Sequence, residues 1–129
     1  MSVSNEQQSG RNFTALEVWK KMRLVKIAIE KTVKTFPREE NFRLSDQLIR
    51  SARSVNSNIA EGHGRYTFPD QIHFCIIARG SLSETLNHLI DAFDCGYLTK
   101  ETLISFRKMI QEVEKLLNGY INWLKKGGK

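Results

Sequence analysis

Apolar side chains recur along this chain at alternating steps of four and three residues, and that period leaves few folds open. Between about Thr14 and Thr35, the residues Val18, Met22, Val25, Ile29, Thr32 and Phe36 form one seam. Leu44, Leu48, Ala52, Val55 and Ile59 form a second. Ile72, Cys75, Arg79, Leu82, Leu86, Leu89 and Phe93 form a third, and Leu103, Phe106, Ile110, Val113, Leu117, Tyr120 and Leu124 a fourth. A four-three seam is the buried stripe of a left-handed helical bundle. The pattern therefore predicts an all-α protein, an antiparallel up-down-up-down four-helix bundle over residues 14–126. No period-two alternation or internal repeat competes with it. Residues 1–13 are expected to be a disordered tail, and 127–129 a frayed end.

The punctuation between seams fits four helices. Pro37 stops the first. Gly62 and Gly64, just past Glu61, are expected to end the second in a left-handed conformation. Thr67-Phe-Pro-Asp70 reads as a helix start, with a threonine cap, proline in the first turn and an acid three residues on. Cys95-Gly96 ends the third helix, and Thr99 caps the fourth.

At 129 residues, 40% hydrophobic and 26% charged, the chain is long enough for one core and too short for two domains. Met1 to Gly10 lacks the basic and apolar regions of a secretory signal, and the longest apolar run, Phe74 to Ala78, is far too short to span a bilayer. Membrane insertion and secretion are not expected. The Asn12-Phe13-Thr14 sequon is then a chance match. Cys75 and Cys95 form neither a CxxC pair nor a disulfide framework, so the expected setting is the reducing cytoplasm.

Charge carries the functional signal. The formal net charge is +6. Residues 11–35 hold seven Lys or Arg against two acids, 99–129 hold seven against three, and 68–98 hold one against four. The first and last helices are basic, and bundle topology makes them neighbours. Lys20, Lys21, Arg23, Lys31 and Lys34 can therefore join Arg107, Lys108 and Lys115 in one basic face suited to nucleic-acid phosphates. The alternative is solubilising charge, partly neutralised by pairs such as Glu17 with Lys21 and Glu30 with Lys34. Leu16, Leu24 and Ile27 share the outward face of the first helix with these cations, which implies a second contact surface, either a neighbouring subunit or nucleic acid.

Chemistry-bearing patterns are sparse. No serine or cysteine has the context of a nucleophile. Glu84, His88 and Asp91 fall on one stripe of the third helix, yet the Glu-x-x-His spacing of di-iron bundles is absent and the stripe reads as a solvated face. Gly62-His-Gly64 lacks the strand and lysine of a phosphate-binding P-loop. No enzyme, metal or cofactor is expected. Arg79, at a seam position, calls for a carboxylate partner, with Glu61 the first candidate and Glu84 the second.

Several short motifs carry a family resemblance. Thr35-Phe-Pro-Arg-Glu-Glu40, Gln47-Leu-Ile-Arg50, Ser57-Asn-Ile-Ala-Glu-Gly62, Gly64-Arg65, Ala78-Arg-Gly-Ser-Leu-Ser-Glu84 and Gly96-Tyr-Leu98 keep their spacing from roughly Leu16 to Leu124. Together they resemble the four-helix-bundle proteins encoded in intervening sequences of 23S ribosomal RNA genes. Arg50, Asn58, Glu61, Gly62, Arg65, Arg79, Gly80 and Glu84 make up the structural signature. The chain departs from the family at Asn56, where proline is frequent, and at Arg53, where an apolar residue is common. The resemblance implies a small bacterial homopentamer, sometimes labelled a ribosomal protein. A distant branch, the accessory variability determinants of diversity-generating retroelements, works with a reverse transcriptase and RNA. Two functions follow: a homo-oligomer binding RNA or other nucleic acid, or a scaffold that recruits a protein such as a reverse transcriptase.

Overall fold

The computed structural model describes residues 12–129, so the tail expected over residues 1–13 lies outside the described residues except for its last two positions. Those two are ordered. Asn12 accepts a hydrogen bond from the Thr14 amide at 3.0 Å and caps a 3-10 turn, Phe13–Ala15. Four helices follow: α1, Glu17–Val33; α2, Leu44–His63; α3, Phe68–Asp94; and α4, Lys100–Lys125. A second 3-10 turn, Arg38–Glu40, lies between α1 and α2.

Each helix packs on its chain neighbours, and α1 closes the ring on α4. The pairing residues run in opposite orders along partner helices. Ser51 meets Thr85 at 3.0 Å, and Ser54 meets Ser81 at 2.9 Å, while Arg79 of α3 reaches Asn118 of α4. The result is the antiparallel four-helix bundle. Its core contains Met22, Val25, Ile29, Leu48, Val55, Ile59, Leu82, Leu89, Val113 and Leu117, all essentially solvent-free.

The α2 seam is buried in full, and most of the α1 and α4 seams are as well. In α1, Val33 is buried where Thr32 was expected. In α4, Ile121 is buried and Tyr120 only partly so. α3 departs further. Its buried residues are Cys75, Ala78, Leu82, Thr85, His88, Leu89 and Ala92, whereas Ile72, Arg79, Leu86 and Phe93 are half-exposed. Small side chains bring its backbone close to α2. The single Thr85 hydroxyl proton is shared between Ser51 Oγ at 3.0 Å and the Ser81 carbonyl at 2.8 Å, and Ser51 donates to the Leu48 carbonyl at 3.1 Å, so both buried hydroxyls have partners. A Cβ added at Gly62 would lie 2.9 Å from that of Phe74 and 3.1 Å from the Gln71 carbonyl oxygen. Close approach of α3 is thus the reason for glycine at 62.

Neither Gly62 nor Gly64 adopts the left-handed conformation expected of them; Gly62 lies inside α2, and Gly64 has φ −81°. The left-handed glycines are Gly96, Gly127 and Gly128. Gly96 closes α3 with the Tyr97 amide donating to the Ala92 carbonyl at 2.9 Å. Gly127 and Gly128, expected to fray, close α4 by donating to Leu124 and Trp123, both at 3.0 Å. Thr67 and Thr99 cap α3 and α4 as expected, accepting from the Asp70 and Thr102 amides.

Candidate nucleic-acid interface

α1 turns Val18, Met22, Val25, Ile29 and Val33 into the core, which sends Lys20, Arg23, Lys31 and Lys34 outward into solvent. Among them Leu24 is 57% exposed and Ile27 half-buried. Leu16 does not join that face. It precedes the helix in extended conformation and is 3% exposed, because the turn before it folds the side chain against the core.

α1 and α4 are neighbours, but their cations do not merge into one uninterrupted face. Lys21 forms a 3.0 Å ion pair with Glu112 of α4 across the helix boundary, beside a shallow cavity of about 220 Å³ lined by Leu24, Val25 and Met109. Lys108 and Lys115 are exposed one turn to either side of Glu112. Arg107 lies eleven residues, or three turns, before Asn118, the residue that accepts from Arg79 of α3; Arg107 therefore belongs to the α3 side of α4. The eight cations expected to form one face divide into a dense α1 group, a pair on the outer face of α4, and Arg107 apart.

The expected i,i+4 neutralisation also changes partners. Glu17 lies 3.8 Å from Lys20 instead of pairing with Lys21. Glu30 takes two hydrogen bonds from Arg53 of α2, both 3.1 Å, and not from Lys34. Those bonds hold the Glu30 carboxyl below its usual range; burial opposes the shift, and the charges of Arg53, Lys26 and Lys34 add to it. Lys34 is left facing solvent.

Several signature residues find partners within one helix or in the turn just after it. Asn58 donates to the Ser54 carbonyl within α2, Arg50 pairs with Asp46 at 3.1 Å, and Glu61 pairs with Arg65 at 2.9 Å. Arg65 also lies over the Phe74 ring. The carboxylate expected for Arg79 is therefore wrong. Glu61 is held by Arg65, and Glu84 meets His88 at 3.1 Å, while Arg79 donates to the Asn118 amide oxygen at 3.0 Å from a half-exposed position. Arg79 can extend to the bundle surface, so it needs no buried counter-charge. Gly80 is exposed, and a Cβ there would meet nothing within 4 Å.

This arrangement of helices and turns is that of a known group: the family described as 23S rRNA-intervening sequence protein matches residues 14–119. The chain belongs to that family. A solved relative of this intervening-sequence protein is the crystal structure of a protein of unknown function from the S23 ribosomal protein family of Bacteroides thetaiotaomicron VPI-5482. It is 28% identical, with a TM-score of 0.75 over 81% of this chain and 95% of that one. No curated protein matches.

Two features of this family member were not anticipated as a site. One is a cavity between α1 and α2 that brings together Phe13, Trp19, Lys26, Arg53 and Asn56. Arg53 and Asn56 stood out in the sequence only as departures from the family pattern, and nothing in the spacing placed Phe13 beside Trp19. The other is a buried amide, since Asn56 is 6% exposed. Among the described residues no group of three His, Cys, Asp or Glu is arranged to hold a metal ion, and no helix is long and apolar enough to cross a membrane.

Proposed function

We propose that this intervening-sequence protein is a non-catalytic, cytoplasmic homo-oligomer that holds RNA, or another nucleic acid, through the outward basic face of α1. The observation that carries this reading is the exposed group Lys20, Arg23, Lys31 and Lys34 on one helix, with no carboxylate of α1 paired to the last three. Lys108 and Lys115 extend it on α4. Lysines on a rigid helix contact phosphates without reading bases, so the face binds broadly and weakens with salt. Repetition of the face in a homopentamer, the assembly the family resemblance implies, adds these weak contacts along one strand.

The test is a variant with Lys20, Lys31, Lys34, Arg107 and Lys115 all changed to Gln. It should stay folded and assembled, and lose affinity for unrelated RNA sequences alike. Because Arg107 lies apart, restoring it alone should recover little.

A second reading is favoured by the exposed apolar side chains Leu24, Ile76 and Ile77. In it the bundle is a scaffold that docks a protein, such as a reverse transcriptase, by apolar contact. Binding of that kind is nearly indifferent to salt, and the five-residue variant would retain it.

A further inference from the structure

The connection between α1 and α2 carries an aromatic ring that the bundle core does not use. Phe42 is 94% exposed, although the chain on either side of it is held in place. Glu40 accepts from the Tyr97 hydroxyl at 2.7 Å and from the Leu44 amide at 3.4 Å. The Asn41 and Arg43 amides donate to the Arg38 and Glu40 carbonyls, both at 3.0 Å, and Leu44 is buried. A pinned turn therefore presents the ring to solvent, which spares a partner the cost of ordering it.

The surroundings of Phe42 are cationic. Lys31 and Lys34 stand at the end of α1, and Arg38 and Arg43 flank Phe42 in the chain. All four are exposed, and none enters an ion pair among the described residues. Within residues 31–43 the acids are Glu39 and Glu40, and Glu40 is already engaged by Tyr97. Tyr66 makes the contrast. It is 99% exposed at the opposite end of the bundle, but its neighbour Arg65 is taken by Glu61 and by the Phe74 ring. An apolar protein surface docked on Phe42 would strip water from the four cations without pairing them. A single nucleic-acid strand suits both parts, because phosphates take the cations and any base offers a face to the ring.

We propose that Phe42 is the base-stacking residue of the nucleic-acid face: an unpaired base lies on its ring while the adjoining phosphates meet Lys34, Arg38 and Arg43. The inference rests on the basic-face reading. It adds a preference for unpaired strands, which phosphate contacts alone do not give.

The experiment titrates the full chain at low salt with oligouridylate and with an abasic oligomer of the same length, which keeps the phosphates and lacks the bases. Phe42→Ala should lower affinity for oligouridylate about tenfold, the effect of losing one base stacked on an aromatic ring, and leave the abasic oligomer unaffected. The salt dependence should keep its slope, since no phosphate contact is lost. Phe42→Trp should retain affinity and add a tryptophan emission that oligouridylate quenches and the abasic oligomer does not. The exposure of the ring means that neither variant removes core packing. Unchanged affinity of Phe42→Ala for oligouridylate, an equal loss for both oligomers, or an added emission indifferent to oligouridylate overturns the proposal and leaves the basic face standing. A smaller assembly of Phe42→Ala by light scattering makes Phe42 a subunit contact and overturns it too. Binding of neither oligomer by the parent protein overturns the basic-face reading along with it.

Discussion

At the scale of single residues, half-buried charges in the bundle find partners on neighbouring helices. Arg79 is the clearest case. With Asn118 as partner and part of its side chain in water, Arg79→Met should cost about 1.5 kcal/mol in chemical denaturation, the low end of what one hydrogen bond to a charged group contributes. A loss of about 3–5 kcal/mol, rescued by Glu61→Gln, would instead reveal a stranded buried carboxylate. Glu30 makes a pH prediction. Its folded carboxyl ionises below the ordinary value of 4.5, so the unfolded chain takes up the proton first as pH falls. Stability from the Arg53 pair is therefore complete above about 4.5 and disappears as pH drops through the lower folded value. Thermal melts should show the gap between the parent and Arg53→Met narrowing as pH is lowered from 6 towards 3. A gap unchanged over that range would mean that Glu30 does not depend on Arg53. At the other extreme, the hydrogen bond from Tyr97 to Glu40, together with burial, raises the tyrosine to about 12. Glu40→Gln should return its ultraviolet titration towards 10.

At the scale of helices, the four-three seam revealed α1, α2 and α4 because each buries large aliphatic residues on one stripe. α3 was less legible: it packs on α2 through Ala78, Thr85 and Ala92, whose small or polar side chains do not stand out in a search for apolar residues. Leu16 was misplaced for a different reason, since helical spacing does not apply to a residue standing before the helix. The α1–α2 cavity was not legible at all, because it depends on Phe13 returning onto Trp19 and on an asparagine amide held by the backbone of another helix. The tight α2–α3 contact makes its own prediction. Gly62→Ala pushes a methyl group to 2.9 Å from Phe74 Cβ and should destabilise by about 1–3 kcal/mol. Gly80→Ala, on the open face of α3, should stabilise by about 0.5–1 kcal/mol through helix propensity alone. If Gly80→Ala broke the assembly instead, an intersubunit contact would run across that glycine.

At the scale of the whole molecule, exposed Leu24 among the α1 cations accords with a face that meets another surface. For a homopentamer, light scattering should return about five times the 14.9 kDa chain mass; a stable monomer at micromolar concentration would make Leu24 and Ile27 no more than scattered apolar residues on a solvated face. The central claim is that this surface holds phosphate. Its most direct test is the affinity for an unstructured RNA oligomer measured from 50 to 200 mM salt. Each phosphate neutralised contributes about −0.7 to the slope of log affinity against log salt for a single strand, so the four outward cations of α1 predict a slope of about −3, or steeper in an assembly. A flat dependence, or no binding at 50 mM salt, would contradict the account and leave protein recruitment as the function.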